Sequence, residues 1–144
     1  MANEISVTAA QVGLVDPTKA RVKSYLAGST VTKGQPVSQA TDGTVDPSDA
    51  SSGGGYLFEQ FRGIALNGGG AGQAIEVCED GELYGFDLSG MSITDAAYLS
   101  NTAGYLSTAV GDVTVYVGKV QCLTDKDATK VLRVQTIYSE AVPS

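Results

Sequence analysis

The chain has 144 residues, enough for one domain that folds on its own apolar core without disulfides or metal. Its net charge of −7 opposes broad binding to nucleic acid, whose phosphates require clustered cations. Histidine is absent, which removes the commonest general base and metal ligand, and the two cysteines cannot form a four-thiolate zinc site.

Residues 1–24 read as an arm distinct from the rest. Met1-Ala2-Asn3-Glu4 lacks the basic and then apolar character of a signal peptide, which leads us to expect synthesis in the cytoplasm. Glu4-Ile5-Ser6-Val7-Thr8 alternates polar and apolar residues, as a strand does, until Gly13 and Asp16-Pro17 interrupt. If residues 19–25 are extended, Lys19, Arg21 and Lys23 share one face and Ala20, Val22 and Ser24 the other. With Lys33 they are four of the nine cations, whereas eleven acids and one cation, Arg62, lie between Asp42 and Asp112. A basic leader thus precedes an acidic body. On an edge strand such a stripe either blunts unwanted pairing or docks on an acidic surface.

The body, residues 25–144, is a series of short strand patterns divided by turn residues. Ser29-Thr30-Val31-Thr32 and Gln35-Pro36-Val37-Ser38 flank Lys33-Gly34, and Pro36 fits a strand start or an edge. Residues 42–55, with Asp46-Pro47 and three consecutive glycines, are expected to form a long flexible loop. Residues 61–66 make a further strand, and residues 67–72 a short glycine loop. Ala74-Ile75-Glu76-Val77-Cys78 and Leu83-Tyr84-Gly85-Phe86 flank Glu79-Asp80-Gly81-Glu82, where Asp-Gly predicts a hairpin turn. Residues 94–99 are the best candidate for a turn or two of helix. Strands at 112–117, 118–122 and 130–137 complete the pattern. Regular short strands with glycine turns and little helix predict a mainly β domain, a small barrel or sandwich.

Little in the sequence offers reactive chemistry. The glycines at 68–72 lack the spacing of either phosphate-binding fingerprint. The acids at 79–82 and at 125–127 read as solvated turn carboxylates, although a hydrolase working with carboxylates alone would need such pairs. Asp42-Gly43-Thr44-Val45-Asp46 lacks the spacing of an EF-hand. Cys78 and Cys122 lie in apolar runs and are expected to be buried thiols. No apolar run is long enough for a membrane helix. No cofactor or metal site is expected.

Several segments, in order, resemble the capsid decoration ("cement") proteins of tailed bacteriophages. They are residues 27–37 (Ala27-Gly28-Ser29 through Gln35-Pro36-Val37), 61–66 (Phe61-Arg62-Gly63-Ile64-Ala65-Leu66) and 72–77 (Gly72-Gln73-Ala74-Ile75-Glu76-Val77). They continue with residues 85–90 (Gly85-Phe86-Asp87-Leu88-Ser89-Gly90), 98–106 (Tyr98-Leu99 through Gly104-Tyr105-Leu106) and 117–120 (Val117-Gly118-Lys119-Val120). The likeness spans about residues 5–138 and consists of glycines, turns and apolar positions. It implies a compact β-tulip-like domain on the outer surface of a mature phage head, contacting the major capsid protein, commonly as homotrimers at threefold and quasi-threefold sites. It also implies that the N-terminal arm reaches the shell or a neighbouring subunit. On this chain the arm's expected contacts are Ile5, Val7, Val12 and Leu14 as apolar anchors and Lys19, Arg21 and Lys23 as the cationic strip. The competing readings are another phage structural part, such as a tail-tube or baseplate component, and a small ligand-binding β-barrel. A barrel carrying biotin or lipoate would need a lysine at a hairpin tip, and Asp80-Gly81 has none.

Overall fold

The structure is a computed structural model that describes residues 4–48, 61–110, 115–122 and 130–135. Its strands are β1 (Glu4–Ile5), β2 (Gly13–Leu14), β3 (Arg21–Leu26), β4 (Pro36–Gln39), β5 (Val45–Pro47), β6 (Phe61–Ala65), β7 (Ala74–Tyr84), β8 (Ala96–Leu99), β9 (Leu106–Ser107), β10 (Tyr116–Cys122) and β11 (Lys130–Gln135). Among the described residues the only helical pieces are two 3₁₀ turns, Ala9–Gln11 and Pro17–Lys19. The named strands pair antiparallel throughout and form one sheet that curls into a half-barrel. The mainly β reading with little helix therefore holds.

The long strand β7 organises this sheet. Leu83 faces Leu14 of β2 across one edge and Leu132 of β11 across the other. Cys78 likewise faces Val22 of β3 on one side and Ile64 of β6 on the other. One edge of β7 therefore carries β3 and β2 in series, and the opposite edge carries β6 and then β11. The sheet forks where β6 and β11 part, into a branch β6-β4-β5 and a branch β11-β10-β8-β9-β1. At the far end of the shorter branch, Ala27 bridges Val45 in parallel and the Gly28 amide donates to the Val45 carbonyl at 2.9 Å. The circuit β3-β7-β6-β4-β5 is thereby closed at one end.

Each branch has its own apolar core. The smaller contains Tyr25, Ala27, Val31, Val37, Val45, Ala65, Ile75 and Val77. The larger gathers Ile5, Ile64, Cys78, Leu83, Leu99, Leu106, Val117 and Leu132 with their neighbours. Strict alternation along β7 would suit a strand with one wet face. Here Val77 and Cys78 are consecutive and both fully buried, because each face of the strand meets a different core.

Four local expectations need correction. The first is the hairpin at residues 79–82: β7 runs straight through, with Gly81 at φ 153° opposite Val134. A β-carbon at Gly81 would sit 2.8 Å from the Ala20 methyl, so this glycine allows close approach of the neighbouring chain within a strand and does not turn it. The second is the helix at 94–99. A turn whose Ser92 amide donates to the Asp95 carboxylate at 2.8 Å leads into β8, where Ala97 and Leu99 face inward at strand spacing. Third, residues 118–122 are not a separate strand, since β10 runs unbroken through Gly118. Fourth, the expected loop at 42–55 opens with a turn at 41–43 and then β5, which pairs with β4; residues 49–55 lie outside the described set.

The leader also differs from expectation. Its described part, residues 4–24, is woven into the chain's own sheet through β1 on β9, β2 on β7, β3 on β7 and a bridge from Val7 to Phe86. Ile5 and Val12 are 4% and 3% exposed. Burying such a side chain contributes about 1.5–3 kcal/mol, which is available within the chain without any partner. A free extended arm would forgo that burial.

Candidate docking surface

The cationic leader segment follows Asp16, which caps the second 3₁₀ turn by accepting from the Thr18 amide at 3.0 Å. The Thr18 hydroxyl and amide, and then Lys19, hold the Asp16 carboxyl below its ordinary range. Lys19 ends this turn and is exposed. From Arg21 the chain is extended, so Arg21, Lys23 and Tyr25 share one face of β3 and Val22, Ser24 and Leu26 the other. The expected three-cation stripe is therefore divided: Arg21 and Lys23 are on one face, with Lys19 on the preceding turn.

Arg21 does not simply point to solvent. The register between β3 and β7 shifts from Arg21↔Asp80 to Val22↔Cys78, leaving Glu79 as the extra residue of a bulge. The Glu79 carboxylate, 1% exposed, is thereby turned beneath β3. It accepts from the Tyr25 hydroxyl at 2.6 Å and from Arg21 Nε at 3.2 Å. The sequence reading placed this acid in a solvated turn. It is instead a buried anion held between the arginine and the phenol, and the residue after it, Asp80, pairs with Arg133 at 3.3 Å. Strand pairing hid this, because only the bulge reveals that residues 58 and 54 positions apart meet Glu79.

Lys23 keeps its charge outward, with Nζ 5.3 Å from the centre of the Tyr25 ring, and makes no ion pair among the described residues. The opposite face of β3 exposes two aliphatic side chains, Val22 at 37% and Leu26 at 55%. Sequence reasoning overlooked these two, although the alternation that aligned the cations also aligns Val22, Ser24 and Leu26. The apolar anchors assigned to the leader are turned inward: Ile5 is in the larger core, Leu14 packs against it, Val12 is buried and Val7 is half-buried. None of these four offers an open apolar side chain to another chain, so the exposed contacts of the leader are confined to β3 and the turn before it.

Among the described residues the outer edge of β3 is open: no strand pairs with it over Arg21–Leu26. Its polar groups can be assigned from their neighbours. The Ala27 amide donates to Gln73, and the Ala27 carbonyl accepts from Gly72, so Ala27 faces β7. On β7, Glu76 directs its amide to Asn67 and its carbonyl to Leu66, away from its cross-strand partner Ser24. Ser24, and by alternation Val22 and Leu26, therefore present their backbone N–H and C=O groups outward.

Other features carry less. A groove of about 290 Å³ is lined by Ile93, Thr94, Lys119, Val120, Gln121 and Cys122. Neither Cys78, which is buried, nor Cys122, which is half-buried, is in a disulfide. Burial, followed by the charge of Asp80, pushes the Cys78 thiol up to about 12. Among the described residues no group of three or more His, Cys, Asp or Glu side chains is placed to hold a metal ion, and no helix is long and apolar enough to cross a membrane. No protein-family model and no curated protein matches the chain.

Proposed function

We propose that this chain is a virion structural protein without catalytic activity, a decoration protein that binds the outer surface of a mature tailed-phage head and stabilises it. The observation that carries the reading is the ordered series of decoration-protein-like segments. Its support is where those segments lie. Residues 27–37, 61–66 and 72–77 supply Ala27, Val31, Val37, Ala65, Ile75 and Val77 of the smaller core. Residues 85–90, 98–106 and 117–120 supply Leu88, Leu99, Leu106, Val117 and Val120 of the larger. The pattern thus falls on the positions that determine this architecture.

In this reading the partner is the major capsid protein, and three copies assemble at threefold and quasi-threefold sites, with no role for nucleic acid or membrane. Trimeric attachment multiplies a weak contact, because the second and third copies bind at high effective concentration. Attachment runs through the exposed edge of β3 and the cations Lys19 and Lys23, since the leader's apolar anchors are occupied within the chain. Deleting residues 1–24 would remove β1, β2 and most of β3 and so disrupt the domain itself. Surface substitution is the cleaner probe.

The test is co-sedimentation of the purified protein with expanded empty heads of its phage, followed by electron cryo-microscopy. The expected result is added density at threefold positions and, for the Lys19→Glu/Lys23→Glu variant, weaker attachment with a smaller salt dependence. Absence of binding at both low and high salt would overturn the reading.

A further inference from the structure

From the geometry of β3 we infer that its open edge accepts an extended segment of the partner as an added antiparallel strand, and that the segment alternates carboxylate and apolar side chains. The inference deepens the docking role proposed above by naming the element recognised. Val22, Ser24 and Leu26 supply the outward backbone groups, so the ladder of an added strand would form on these three residues. Side chains directly opposite in such a ladder lie on the same face. Those falling beside Arg21 and Lys23 meet the uncompensated Lys23 ammonium, which selects carboxylates. Those falling beside Val22 and Leu26 meet exposed aliphatic surface next to the exposed Glu76, which selects apolar groups and repels a second acid.

A second copy of this chain fits the edge poorly. Two β3 edges paired antiparallel about Ser24 would put both Lys23 side chains on one face as diagonal neighbours, about 7–8 Å apart at the backbone. Each copy would also bring a net charge of −7. Lysine at an edge blocks like edges, as in other sheets, and here the same charge selects an acidic partner.

The probe is a synthetic peptide, acetyl-Asp-Val-Glu-Ile-Asp-Val-amide, titrated into the full chain and followed by amide NMR and hydrogen exchange. Controls are a cationic peptide with lysine at the acidic positions and an acidic peptide of the same composition with the alternation broken. The expected result is shifts confined to residues 21–26, slowed exchange at the Val22, Ser24 and Leu26 amides, and affinity about tenfold or more above both controls. Ser24→Pro removes one outward N–H without touching the ladder to β7 and is expected to abolish the slowing. Lys23→Glu, at an exposed position, is expected to reverse the preference toward the cationic peptide, and it decides the matter if the proline variant does not fold. No binding, equal binding of the three peptides, or shifts elsewhere on the sheet would overturn the inference. Head binding with a silent peptide titration overturns the strand-addition inference alone; peptide binding without head binding overturns the decoration reading alone.

Discussion

Glu79 gives the sharpest prediction about what holds the forked sheet together. An isolated buried carboxylate costs several kcal/mol, so this one needs partners, and the Tyr25 hydroxyl and the Arg21 guanidinium are two that reach it. A hydrogen bond to a charged group contributes about 1.5–3 kcal/mol, and the 2.6 Å contact from Tyr25 is of that kind. The Arg21 side chain is 52% exposed, so solvent screening reduces its ion pair to about 1 kcal/mol or less. Tyr25→Phe is therefore expected to destabilise the protein by about 2 kcal/mol and Arg21→Ala by about half that. Glu79→Leu removes the acceptor, and the double variant Tyr25→Phe/Glu79→Leu should lose less than the sum of the two, with a coupling of about 1.5 kcal/mol. The measurement is urea unfolding followed by circular dichroism, comparing midpoints at constant slope. A coupling below about 0.5 kcal/mol, or an Arg21→Ala effect larger than that of Tyr25→Phe, would refute the assignment of the phenol as the principal partner.

Four further outcomes are expected. In the native protein a thiol reagent at pH 8 labels Cys122 and spares Cys78, and both react after unfolding. Because Cys78 stays protonated in the fold up to about 12 against an ordinary 9.0, its contribution to stability is intact below pH 9 and is lost as the pH rises toward 12, which alkaline unfolding curves of Cys78→Ala against the parent would show as a flatter profile in the variant. A β-carbon at Gly118 would lie 1.9 Å from the Arg133 carbonyl oxygen, so Gly118→Ala should cost about 4 kcal/mol or more, read as loss of soluble folded protein or a collapsed melting temperature. Thr94, a β-branched residue held at φ 79°, should gain about 1 kcal/mol on replacement by glycine, a rise in melting temperature of about 3 °C; an unchanged or lower value would show that its side chain contributes more than its backbone strain costs.

Much of the strand content was legible because alternation and turn residues are local properties. Residues 61–65 and 130–135 form strands as their composition predicts, and Pro36 begins its strand. The failures share a physical cause: long-range pairing overrode a local preference. Asp80-Gly81 has the composition of a tight turn, yet β3, β11 and Ala20 close around it and keep the chain extended. Residues 96–99 have helix-compatible alanines, but lie between β9 and β10, whose free edges they satisfy. The candidate docking surface was half legible. Alternation placed Arg21 and Lys23 together, whereas the sequence held no sign that Glu79 would neutralise the first from below.

The bulge at Glu79 connects the fold to the proposed recognition. With the extra residue, β7 sends Ile75 and Val77 into one core and Leu83 into the other, so a single strand serves both branches. The same residue draws the Arg21 guanidinium down to its carboxylate and anchors the Tyr25 ring, over which Lys23 is held. The cation left to define the outer face of β3 is therefore Lys23, positioned by a phenol that is itself fixed by the buried acid. Tyr25→Phe removes the bond to Glu79 but keeps the ring and should leave Lys23 in place, while Tyr25→Ala removes its support. If strand addition depends on where the ammonium sits, the first substitution costs stability but spares peptide affinity, and the second weakens both. Equal affinity in the two variants would mean that the charge of Lys23 acts without the ring beneath it.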